Sequence, residues 1–278
     1  MFEPPVSHTF FPRITRRQDP VVTRFREVAK HHGQDDEVVL DGVHLLLDAL
    51  RAGVPIEIIV ASADLLEGAT TELQEVWRLA REAGVPVHEG ITAVIEAASP
   101  VRTPSGVVAI ARWQLSPLSS LWAPSPALVI GLVDVQDPGN AGAVIRSADG
   151  LGATGVIMIG STADASSPKT MRGAMGSSFR VPVARASLGE TMRAAKAAGV
   201  TLAATTSPTP DSTDLHHASL TGPLLVLLGN EGAGLPEQAL RAADLRLSIA
   251  MRPGINSFNV AVTSALVLYE ARLQRTRS

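Results

Sequence analysis

Apolar residues follow two periods along this chain, and the change of pattern divides it. From residue 127 onward, short continuous apolar runs alternate with stretches whose apolar residues recur three and four apart. The runs at 128–133, 155–159, 181–184, 201–205, 224–228 and 245–249 predict buried strands. The intervening stretches 139–151, 168–178, 188–198 and 236–242 predict helices, and 257–274 predicts a long terminal helix. Strands alternating with helices imply a parallel sheet covered on both faces. Upstream, 37–40, 56–61, 85–88 and 106–112 read as strands, and 42–52, 73–83 and 92–98 as helices. In the helix 42–52, Val43, Leu46, Leu47 and Leu50 share a stripe. That is a small α/β unit over residues 1–113. Between the two lies QLSPLSSLWAPSP, rich in Ser and Pro and without period, which reads as a linker over 114–126. The second unit then spans 127–278.

Composition narrows the possibilities. The chain has 278 residues, 45% hydrophobic and 18% charged, enough apolar material for packed cores. No apolar run approaches the roughly 18 residues of a membrane span. The opening MFEPPVSHTFFPRITRR has no continuous apolar stretch of the secretory kind, so a cytoplasmic location is expected. With no cysteine there is no disulfide, no thiolate-held metal and no thiolate nucleophile. The pairs His31/His32 and His216/His217 lack the spacing of a helical metal site, so no metal is expected. Net charge is −3, but residues 1–30 carry six Arg and Lys against three acids. Such an arm suits phosphates or a solvated surface equally, and charge alone leaves both open.

The run Gly150-Leu-Gly-Ala-Thr-Gly155 spells G-x-G-x-x-G, but it follows a predicted helix and opens a strand. A dinucleotide site needs the reverse order, so these glycines read as a helix stop and a turn. Three other segments lie just past strand ends, where parallel sheets place ligands. DVQDPGNAGAVIRSA, residues 134–148, has Asp137 as helix cap and Pro138 in the first turn. Its buried stripe is Ala141, Val144, Ile145, Ala148 and Leu151, with Arg146 opposite. LGNEGAGLPE, residues 228–237, packs three glycines around Glu231, so backbone can approach a ligand. SIAMRPGINSFN, residues 248–259, leads into the last helix, with Asn256 or Ser257 available as cap.

In this order and spacing, DPGNAGAVIRSADGLGATGVIMIG, LLGNEGAGL and SIAMRPGINSFNVAVTSALVLYE resemble the three motifs of the SPOUT, or α/β-knot, RNA methyltransferases of the SpoU/TrmH type. The resemblance implies an α/β fold with a C-terminal trefoil-knotted methyltransferase domain. It implies transfer of a methyl group from S-adenosylmethionine to a ribose 2′-hydroxyl. Asn140, Arg146, Glu231, Ser257 and Asn259 would form the catalytic constellation, and Gly229, Ile249 and Phe258 would bind S-adenosylmethionine. The family assigns the matching arginine as base; because a guanidinium stays protonated far above neutrality, a role in fixing phosphate and stabilising alkoxide suits Arg146 better. Ala250 and Phe258 depart from the family's usual Ile-Pro-Met and Ser-Leu-Asn pattern. The segments VVLDGVHLLLDALRAGVPIEIIV and TPSGVVAI resemble the RNA-binding domain of longer members. The resemblance further implies an RNA partner, with 23S ribosomal RNA favoured over transfer RNA, and a homodimer through the C-terminal domain. The competing readings are a non-catalytic knotted RNA-binding protein and a nicotinamide enzyme; the glycine context opposes the latter.

Overall fold

A computed structural model describes residues 11–255 and 257–277, and these separate into two compact units, Met1–Trp113 and Gln114–Ser278. In the first unit the elements run β1 (Arg13–Ile14), α1 (Pro20–Lys30), β2 (Glu37–Asp41), α2 (Val43–Arg51) and β3 (Ile56–Ala61). They continue with α3 (Ala63–Leu66), α4 (Thr71–Glu82), β4 (Val87–Gly90), α5 (Thr92–Ala98) and β5 (Val107–Arg112). The sheet order is β1-β4-β3-β5-β2, parallel on the β1-β4-β3 side and antiparallel where β5 meets β3 and β2. In α2 the buried face is Leu45, Leu46, Leu47 and Ala49, while Val43 and Leu50 stay half-buried. The stripe anticipated for this helix is therefore displaced towards Leu45 and Ala49. Helix α1 and strand β1 were not anticipated. α1 has its own start signal in Asp19, whose carboxylate accepts from Val21 N, with Pro20 in the first turn.

The second unit contains β6 (Leu128–Val133), α6 (Pro138–Leu151), β7 (Gly155–Ile159), α7 (Pro168–Ala174), β8 (Val183–Ala186) and α8 (Leu188–Ala197). After these come β9 (Thr201–Thr205), β10 (Thr213–Asp214), β11 (Leu224–Leu228), α9 (Glu237–Ala242), β12 (Leu245–Ser248) and α10 (Val260–Arg277). All seven strands are parallel, in the order β10-β12-β9-β11-β6-β7-β8. Every residue of β6, β7 and β11 is buried, which is why these strands are continuous apolar runs rather than alternating ones. Because β11 pairs directly with β6, the loops leaving both strands are neighbours despite more than 90 intervening residues.

Residues 114–126 pack onto this second unit. Leu121 is fully buried in its core, with Trp122 partly buried beside it. The glycines of the G-x-G-x-x-G run have structural work: Gly152 caps α6 at φ 82°, and Gly155 leaves room for Leu121. Helix α7 stops at Ala174 rather than 178, because Met175 and Gly176 both adopt left-handed backbone. Helices α6 and α7 approach closely at glycines; a Cβ on Gly142 would lie 2.5 Å from the Thr170 carbonyl oxygen.

Candidate active site

Helix α6 begins as its sequence dictates. Asp137 caps it, accepting from Asn140 N at 2.8 Å. That hydrogen bond first, and Lys169 at 3.3 Å second, hold the Asp137 carboxyl below its ordinary pKa. Ala141, Val144, Ile145 and Ala148 are buried and Leu151 half-buried, so Asn140 and Arg146 face outward.

Asn140, in the first of the three segments, joins the other two to it. Its side-chain amide donates to the Glu231 carboxylate, and its Oδ1 accepts from Asn259 Nδ2 at 3.0 Å. Asn259 is also the helix cap, accepting at Oδ1 from Ala261 N at 2.9 Å. The cap is thus Asn259, not Ser257; Asn256, the other candidate, lies outside the described residues. The chain Glu231–Asn140–Asn259 brings together three expected site residues. Arg146 does not join it. The guanidinium is exposed and its partner is the Met175 sulfur. Met175 holds φ 46°, an uncommon conformation for a residue with a side chain.

Beside Glu231 opens a cleft of about 390 Å³ at the carboxyl ends of β9, β11 and β12. Gly229, Ile249 and Phe258 line it, as do Glu231 and Ser257. Phe258 is 40% exposed. The wall also includes Leu228 and Met251 from within the motif segments, and Thr205 and Leu247 from outside them; the position of strand ends in a parallel sheet is the signal that finds the latter two.

Two more residues set the shape of the cleft. Asn230 donates from Nδ2 to the Asp134 carbonyl at 2.9 Å and accepts at Oδ1 from Gly232 N and Ala233 N. Asp134 sits at φ 55°, and its carboxylate accepts from Ser161 N at 2.7 Å. The loops after β6, β7 and β11 are thereby tied into one rim. Gly229 must be glycine, since a Cβ would overlap the Gly234 carbonyl and lie 2.5 Å from Leu235 N.

The donor set fits S-adenosylmethionine. Leu228, Leu247, Ile249 and Phe258 offer an apolar bed for an adenine ring, the glycine loop offers backbone groups, and the Glu231 carboxylate complements a sulfonium charge. Among the described residues no group of three or more His, Asp or Glu could hold a metal ion, and no helix is long and apolar enough to cross a membrane.

Comparison with known proteins agrees with this geometry. The family model described as "SpoU rRNA Methylase family" matches residues 127–269. The chain is 29% identical over 245 residues to the 23S rRNA (guanosine(2553)-2′-O)-methyltransferase RlmP of Bacillus subtilis, covering 87% of this chain and 91% of that one. It is 40% identical over 142 residues to the 23S rRNA (uridine(2479)-2′-O)-methyltransferase of Streptomyces viridochromogenes, half of each chain. The AdoMet-bound rRNA methyltransferase of Sinorhizobium meliloti is similar in structure, with TM-score 0.82, 32% identity, and coverage of 95% of this chain and 98% of that one. Its loops, its cleft and its relatives agree: the chain belongs to the SpoU rRNA methylase family.

Proposed function

We propose that this protein methylates a ribose 2′-hydroxyl of RNA, 23S ribosomal RNA in the first place, using S-adenosylmethionine. The observation that carries the reading is the cleft at the β11 and β12 ends, with Gly229, Ile249 and Phe258 on its wall and the Glu231–Asn140–Asn259 chain beside it. The similarity to a 23S rRNA 2′-O-methyltransferase over 87% of the chain, and to an AdoMet-bound rRNA methyltransferase over 95% of it, supports the reading.

S-adenosylmethionine supplies a methyl group activated on a sulfonium. The protein must hold the acceptor oxygen in line, exclude water and ease loss of the hydroxyl proton. Arg146, exposed and held among the described residues only by a thioether, is free to exchange that partner for an RNA phosphate and the attacking oxygen. Its charge there lowers the pKa of the hydroxyl and stabilises the developing alkoxide; as the O–CH3 bond forms the S–CH3 bond breaks, the neutral thioether leaves, and the proton is released to bulk solvent. Asn140 and Asn259 hold the Glu231 side of the cleft to the helix starts, and Ser257 shapes the floor. The knotted topology belongs to this reading, as do a cytoplasmic location and RNA binding by the unit Met1–Trp113. A homodimer also belongs to it: Val262, Leu266 and Tyr269 on α10 are between 38% and 54% exposed, one stripe of apolar surface. Transfer RNA is the second substrate class, and a non-catalytic RNA-binding role is disfavoured by the presence of Asn140, Arg146 and Glu231 at their motif positions.

Mass mapping of ribosomal RNA from cells with and without the protein tests this. Loss of one ribose methylation from 23S RNA is the expected result; unchanged ribosomal RNA together with a missing transfer RNA methylation would assign the second class.

A further inference from the structure

The first unit contains a cavity of about 400 Å³ that the methyl-transfer site does not use. It lies where β1 and β4 form the sheet edge and α4 ends, and its wall includes Phe11, Pro12, Trp77, Arg81 and His88. The chain has only ten Phe, Trp and Tyr residues, and the large aromatic of this unit's core is Phe25. Two of the ten therefore sit half-buried at one surface cavity rather than in the core. Trp77 is fixed there: its indole N–H donates to the Leu65 carbonyl at 3.0 Å, which stops the ring from turning. Arg81, in the last turn of α4, is exposed, and among the described residues neither it nor His88 has an ion-pair partner. Nearby arginines are otherwise occupied, Arg13 with Glu89 and Arg78 with Glu82.

Aromatic faces beside an uncompensated guanidinium match one ligand chemistry well: a flat heterocycle carrying a phosphate. Unpaired RNA bases are recognised by stacking on aromatic rings and on Arg planes, with basic groups taking the backbone. We propose that this cavity receives an unpaired nucleobase of the RNA substrate, stacked against Trp77 and Phe11, with Arg81 on the adjoining phosphate. The inference rests on RNA being the substrate, and it adds where an unstacked nucleotide away from the methylated one is held.

The test uses the full chain with Trp113→Phe and Trp122→Phe, so that Trp77 is the sole tryptophan and is excited selectively over Tyr269. A single-stranded oligoribonucleotide should quench Trp77, and the same oligomer with abasic residues should not. Arg81→Glu should weaken oligonucleotide binding about 10-fold and raise the RNA KM to match, with kcat and S-adenosylmethionine binding at parental values. RNA binding that leaves Trp77 emission unchanged, or equal quenching by the abasic oligomer, would overturn the proposal. So would an Arg81→Glu variant with parental affinity and KM. Emission that responds to removal of residues 1–10 but not to RNA would make the chain's own start the occupant, and would likewise overturn it. Failure of the underlying reading is distinct, since the unmodified protein would then methylate no RNA.

Discussion

Asp137 shows how a single side chain serves both fold and site. Its carboxylate starts α6 by accepting from Asn140 N, and so sets the residue whose side chain meets Glu231 and Asn259. The pKa of Asp137 is depressed by that hydrogen bond and by Lys169, so the carboxylate is worth more to the folded chain than the carboxylic acid. The resulting stability is present above the ordinary carboxylate pKa and is lost as pH falls through the lower folded-state value. Asn caps as well as Asp but cannot lose charge. The melting temperature of the parent should therefore fall more than that of Asp137→Asn between about pH 5 and pH 3. Parallel curves for the two proteins would show that the cap carries no charge-linked stability. At this scale the sequence was informative where a residue has a local duty, as with the Asp137 cap, the Gly152 stop and the outward-facing Arg146. It was uninformative about long-range partners. Neither the Arg146–Met175 contact nor the clamp from Asn230 to Asp134 has any local signature, because each depends on the adjacency of distant loops.

Elements were legible in proportion to how fully they are buried. β6, β7 and β11 are enclosed on both faces, so their apolar runs mark their limits. The edge strands β1 and β10, two residues each, leave no pattern to read. α10 begins at Val260 rather than 257, because Asn259, not an earlier residue, supplies the cap. In the proposed function the loop after β11 is the element on which cofactor binding depends most directly. Its turn is closed by a hydrogen bond from Gly234 N to the Asn230 carbonyl, and it brings Gly229 against Gly234 with no room for a methyl group. In Gly229→Ala the backbone must move, a strain of about 1–3 kcal/mol confined to an exposed loop. The expected result is S-adenosylmethionine affinity reduced about 10-fold or more by calorimetry, with a cooperative thermal transition retained. Parental affinity in that variant would remove the loop from the binding site.

For the whole molecule, sequence patterning distinguished a parallel α/β unit from a smaller upstream one, and it could not supply the sheet order. The smaller sheet is mixed, with antiparallel pairings at β5 that alternation of helix and strand does not reveal. The exposed stripe Val262, Leu266 and Tyr269 bears on assembly. If it is buried between two copies, light scattering at micromolar concentration should give the mass of two chains, and Leu266→Glu should give the mass of one. A parent of single-chain mass would refute that use of α10.

The central claim is that Arg146 acts on the ribose hydroxyl while the rest of the site holds the two substrates. Because Arg146 lies off the buried stripe of α6, its removal should spare the fold. The direct measurement is transfer from methyl-labelled S-adenosylmethionine to 23S RNA, with the product digested to nucleosides and parent and Arg146→Ala compared at equal cofactor occupancy. The account predicts label in a 2′-O-methylnucleoside for the parent, and a rate lower by about 10²-fold or more in the variant with unchanged melting. Label in the base rather than the ribose, or a variant that transfers at the parental rate, would contradict it.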